Sequence, residues 1–192
     1  MTNIYDAAKK IRKNPQNILS NIIYRWSPRS MDAKILPENI LMPLFEAAQY
    51  APSAFNAQPE TFFYAQKGSK SFSRMIDLLF PANQEWCKNA SFLIVLVSKK
   101  GFEHNGKFNQ THSFDTGAAW EAFAVEGAKR NLVIHAMSGF DYGKTKEYLK
   151  LDDDFQVECM IAVGQPTKEI SNEKISLRKD IKQIAIKVAD LK

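Results

Sequence analysis

A chain of 192 residues, 45% hydrophobic and 24% charged, is long enough for one substantial core and too apolar to be disordered. Its 26 basic and 21 acidic residues leave a net charge of +5, but the basic residues are scattered. The densest group, Lys9, Lys10, Arg12 and Lys13, reads as a solvated helix face rather than a nucleic-acid surface. The longest apolar run, 92–97, is too short to span a bilayer, and MTNIYDAAKK holds no apolar stretch of the signal-peptide kind. Two cysteines, Cys87 and Cys159, make no disulfide framework. The expectation is a cytoplasmic protein with neither a membrane nor a nucleic-acid partner.

In chain order, Ile18, Leu19, Ile22 and Ile23 recur at helical spacing and predict a short helix within 15–24. The segment 25–30 interrupts it. After Pro37 a second helix carries Ile40, Leu41, Leu44, Phe45 and Ala48 on one face, with Pro52 as its far limit. A loop over 53–59 leads into a strand over 61–66. A short helix over 71–80 and an irregular or helical stretch over 81–89 follow. Residues 92–97, apolar on both faces, predict a central strand. The polar segment 99–113 predicts a long surface loop or lid.

The longest helical pattern runs from Asp115 to His135 and is rich in Gly and Ala, which lets helices approach closely. The turn Ser138-Gly139-Phe140-Asp141 ends it. A short helix through Lys150, a strand over 155–163 and a tail with Ile181, Ile184, Val188 and Leu191 at helical spacing complete the chain. A few strands among more numerous helices, without regular alternation, make the class α+β. One domain over 1–192 is expected, with an N-terminal extension over 1–15 and a C-terminal arm and helix over 167–192.

Several familiar chemistries have no motif. The chain has no G-x-G-x-x-G, no Walker-type loop and no G-x-S-x-G. His104, His112 and His135 lack partners at metal-ligand spacing, so no metal is expected and each reads as a surface or packing residue.

More informative is Arg25-Trp26-Ser27-Pro28-Arg29, where guanidinium forks and a hydroxyl suit a phosphate monoester. Alone it reads better as two ordinary surface arginines, since arginines are mostly exposed. The loop Ala51-Pro52-Ser53-Ala54-Phe55-Asn56-Ala57-Gln58-Pro59 adds carboxamides in a rigid setting. Turn chemistry accounts for it, but amides also match the acceptor–donor–acceptor edge of a flavin pyrimidine.

In this order the segments resemble the FMN-dependent nitroreductase family. The resemblance continues through Asn83, the central strand, the small-residue helix, Ser138-Gly139-Phe140, Val-Gly-Gln-Pro at 163–166 and Arg178, and so covers residues 22–178. It implies an α/β/α fold, with a mostly antiparallel sheet flanked by helices, in an intertwined homodimer. Arg25, Ser27 and Arg178 then look like phosphate ligands, with Trp26 among the residues around the cofactor. Arg29 looks like the basic group near the flavin N1 and C2 carbonyl. Asn83 is similar to the asparagine at the pyrimidine edge, and Ser138 and Gly139 to the turn whose N–H groups approach N5 and O4. Pro52, Ser53 and Asn56 resemble the loop reaching the flavin of the partner subunit.

The chain also departs from the family pattern. Trp26 stands where a second basic residue is frequent, Ser30-Met31 lacks the common aromatic, Ser176 stands where a lysine is frequent, and Ser138 replaces an acidic residue. Phosphate binding would rest on fewer charges. The resemblance implies an oxidoreductase in which NADH or NADPH reduces bound FMN at N5, and a small-molecule acceptor such as a nitroaromatic or quinone then takes the electrons by ping-pong kinetics. The chemistry is the flavin's, so no catalytic side chain is assigned. A non-catalytic flavin-binding or storage protein, or a relative with dehalogenating or oxygen-dependent chemistry, fits the same residues.

Overall fold

The computed structural model describes residues 3–188. Four strands form one antiparallel sheet: β1 (Glu60–Gln66), β2 (Phe92–Lys99), β3 (Val133–Met137) and β4 (Phe155–Gly164), in the order β1-β2-β4-β3. Strand β2 is buried along its length except at Lys99. Successive side chains alternate between faces, so both faces of β2 must be covered.

The packing meets that demand. Leu93, Val95 and Val97 join one apolar cluster, and Phe92, Ile94 and Leu96 another on the opposite face. Over the first face lie α1 (Ile4–Lys9), with Ile4 and Ala8 buried, and α4 (Lys70–Leu78), with Phe72, Met75 and Leu78 buried. Over the second lie α3 (Met42–Gln49) and α6 (His112–Lys129), through Leu44, Ala48, Ala119, Phe123 and Ala124. Phe62 and Phe123 stack at 5.3 Å between β1 and α6. Each fully buried large apolar side chain stabilises by roughly 1.5–3 kcal/mol. The remaining α-helices among the described residues are α2 (Ser20–Ile23), α5 (Pro81–Cys87) and α7 (Tyr142–Tyr148). The result is the helix–sheet–helix α+β arrangement expected.

The elements differ from expectation in three places. The helix predicted over 115–135 begins earlier, at His112, and stops at Lys129. Asn131 takes φ 59°, while the Leu132 N–H bonds the Gly127 carbonyl and the Asn131 N–H that of Ala128, a Schellman C-cap. The remaining residues become β3, a strand the helical pattern concealed. At Gly127 a Cβ would lie 2.5 Å from Ile134 Cγ1, so the helix reaches this strand only because the position is glycine.

The N-terminal segment is anchored by α1. In the tail, the helix expected from Arg178 is a single 3-10 turn, Ile181–Gln183, and Leu191 lies outside the described residues. Ile181, Ile184 and Val188 are exposed, and a short helix without a packing surface gains too little to form.

Candidate functional site

Three distant segments converge beside the end of β4. Met31 pairs with Pro166 in an isolated bridge, and the Asp32 N–H donates to the Gln165 carbonyl. The Glu173 carboxylate then accepts the backbone N–H of Arg29 (2.9 Å) and of Ser30 (2.8 Å), tying the loop after α2 to the C-terminal arm. From the other side, Arg12 Nη1 donates to the Ile23 and Arg25 carbonyls at 2.8 and 2.7 Å. The Trp26 indole donates to the Ile4 carbonyl at 2.7 Å, which joins α1 to the same loop.

These links enclose a cavity of about 660 Å³, within the size range of small-molecule sites. Arg25, Trp26, Ser27, Arg29 and Arg178, all singled out in the sequence, line it together. Arg12, His135 and Lys174 also line it; sequence reasoning did not select them. The cavity thus holds five cationic side chains and one carboxylate, Glu173, already engaged by backbone N–H groups. Among the described residues, Arg25 pairs with Glu121 at 3.3 Å, while the side chains of Arg12, Arg29 and Arg178 have no carboxylate partner. Arg12 Nε is buried without a hydrogen bond. Clustered guanidinium groups with an orphaned donor suit an anion with several acceptor oxygens.

Arg12 was expected on a solvated helix face. Instead it folds back beyond α1, and burial, together with the charges of Arg178 and Arg25, lowers its pKa. No local signal distinguishes it from its lysine neighbours. His135 sits on the concealed strand β3. Its Nδ1 lies 3.0 Å from the Pro28 carbonyl, and burial lowers its pKa. A carbonyl only accepts, so a neutral His135 carries its proton on Nδ1. The stop signal Lys129-Arg130-Asn131 could have exposed β3, and His135 with it.

From the cavity a strip of contacts leads to the next pair of selected residues. Arg29 lies 5.7 Å over the Trp86 ring, which packs at 4.7 Å against His135. The Trp86 indole donates to Asn83 Oδ1 at 3.1 Å, and Asn83 Nδ2 donates to the Gly139 carbonyl at 3.0 Å. A side chain at 139 would collide with the Asn83 amide. Asn83, Ser138 and Gly139 therefore form one corner, joined to the cavity through Trp86.

Pro52, Ser53 and Asn56 are not among the residues lining that cavity. Their loop follows α3 and is strained, with φ 53° at Phe55, 54° at Asn56 and 45° at Gln58. Asp115, buried at the start of α6, holds it by accepting the Ala54 N–H at 3.1 Å. The same carboxylate oxygen accepts Thr111 Oγ1 at 3.1 Å, at the base of the segment expected to be a lid. That segment is closed by a Gly101–Phe108 bridge, and Phe102 packs against Phe55 at 5.7 Å. Phe55 and Asn56 face outward.

The three-layer α+β fold and the arginine-lined cavity define a class, and comparison gives the family. A nitroreductase family model matches residues 22–80. An FMN-containing oxidoreductase of known structure is 32% identical over 98% of both chains, with a TM-score of 0.86. A candidate NADH oxidase from Clostridium acetobutylicum is 26% identical over 86% of this chain and 98% of that one, with a TM-score of 0.70. A candidate nitroreductase from Desulfovibrio desulfuricans in complex with FMN shares the fold at 18% identity over 92% of this chain and 98% of that one, with a TM-score of 0.75. No curated protein matches the sequence. The chain belongs to the nitroreductase family.

Proposed function

We propose that this chain is an FMN-dependent oxidoreductase that draws electrons from NADH or NADPH and passes them to a nitroaromatic, quinone or similar acceptor. The observation that carries this reading is the cavity walled by Arg25, Ser27, Arg29 and Arg178, where among the described residues the side chains of Arg12, Arg29 and Arg178 have no carboxylate partner. The 32% identical relative contains FMN, and the Clostridium acetobutylicum relative is named for NADH oxidation, which supports both the cofactor and the reductant. Bound FMN would supply the two-electron chemistry.

The chain's own residues hold and orient. Arg25, Ser27 and Arg178 would take the phosphate. Arg29, fixed over Trp86, would set positive charge toward the pyrimidine end, and the Asn83–Gly139 corner would meet that end through an amide and backbone groups. The loop of Pro52, Ser53 and Asn56 would serve the site of a second copy, so the working unit is a homodimer. Supporting this, α6 turns a small-residue face outward: Gly117 is exposed and Ala118 and Ala122 are half-buried. Among the described residues no helix is long and apolar enough to cross a membrane; with two free cysteines, a cytoplasmic setting fits.

One absorbance spectrum of the purified protein tests the reading. Stoichiometric FMN that bleaches on adding NADH or NADPH, in a particle sedimenting as a dimer, is expected. Failure to take up FMN on titration would overturn it.

A further inference from the structure

We propose that Arg12 is an additional phosphate-binding group of the flavin site. The inference rests on reading the cavity as the phosphate end of an FMN site, and it assigns a role to a residue from outside the segment that resembles the family.

The segment 22–178 brings Arg25, Arg29, Lys174 and Arg178 to the cavity, and Ser176 lines it without a charge. Arg12 lines the same cavity and is close enough to Arg178 and Arg25 to feel both charges. Two backbone carbonyls, those of Ile23 and Arg25, hold its Nη1 in place. That grip fixes the guanidinium without neutralising it, because carbonyls carry no formal charge. Its Nε is buried and makes no hydrogen bond.

A fixed guanidinium with two like-charged neighbours is costly by itself and favourable beside a dianion. Its clamp on the Arg25 carbonyl also orders the backbone that presents Arg25 and Ser27. Burial lowers the Arg12 pKa further, but an arginine stays charged at neutral pH.

The test compares FMN with riboflavin, which lacks the phosphate, by fluorescence titration of apoprotein. Arg12→Gln removes the charge and keeps an amide donor on a shorter side chain; Arg12→Lys keeps the charge. FMN affinity should fall roughly 10–100-fold in Arg12→Gln, by the usual size of a charge-assisted hydrogen bond. Riboflavin affinity should stay level, and Arg12→Lys should recover most of the loss. An equal fall for both flavins would mean that Arg12 only shapes the loop, and would overturn the proposal. Unchanged FMN affinity in Arg12→Gln would overturn it too. Wild-type protein that prefers FMN no more than riboflavin would instead bring down the phosphate reading of the cavity, and this proposal with it.

Discussion

The cavity and the loop of Pro52, Ser53 and Asn56 are fixed by different means. Around the cavity, cationic side chains from both ends of the chain are drawn together, and Arg29 and Glu173, 144 positions apart, join directly. The loop hangs on one buried carboxylate, Asp115, and presents Phe55 and Asn56 to the outside. The charged pocket is walled by residues of one chain, whereas the loop is strained and keeps Phe55 and Asn56 exposed although Phe102 packs against Phe55.

The largest effect should come from the cavity. Arg25→Ala removes a guanidinium from its wall, and FMN affinity should drop roughly 10–100-fold with riboflavin spared. Calorimetric titration of both flavins checks this. Equal losses would erase the contrast, because the cavity would then matter only for folding.

At the other end, Asp115→Ala leaves the Ala54 N–H without its acceptor and takes from the Thr111 hydroxyl one of its two acceptors, the other being Asn109 Oδ1. That should cost about 1–3 kcal/mol, which lowers the melting temperature by about 2–4 °C per kcal/mol in a domain of this size. Hydrogen exchange should rise at 54–58 and 100–111 together, because one oxygen holds both. Faster exchange in only one of them would separate loop from lid.

The smallest effect is electrostatic. Burial lowers the His135 pKa in the folded protein and so favours its neutral form. The unfolded chain titrates near about 6.5, so below that pH it binds a proton that the native state resists, and stability falls as pH falls. The slope from one such group is at most about 1.4 kcal/mol per pH unit. Urea midpoints at pH 7.5 and 5.5 should therefore converge in His135→Gln relative to wild type.

The contrast also runs through what the sequence made legible. Arg25, Ser27 and Arg29 could be read because they crowd into five positions, and Arg178 because it completed a known order. Strand β2 could be read because seven apolar or small residues in a row leave little alternative. Strand β3 could not: Val133, Ile134 and Met137 continue the spacing of α6, and the break depends on the left-handed turn at Asn131. The tail failed in the opposite sense. Ile181 and Ile184 keep helical spacing, but among the described residues no surface covers them, and spacing without a surface makes no helix. Arg12 was hidden because its role comes from a carbonyl clamp between segments, which leaves no local trace.

The bond between Glu173 and the backbone of Arg29 and Ser30 carries a consequence for biosynthesis. During translation the arginines near the start emerge long before residue 173, so for most of that time they face solvent with no wall opposite them. Closing a loop of this length is entropically slow compared with forming the central strands, and contacts so far apart in sequence form late. The pocket can be assembled only once residues 173–178 have left the ribosome, and any ligand it holds must load onto a chain synthesised at least that far.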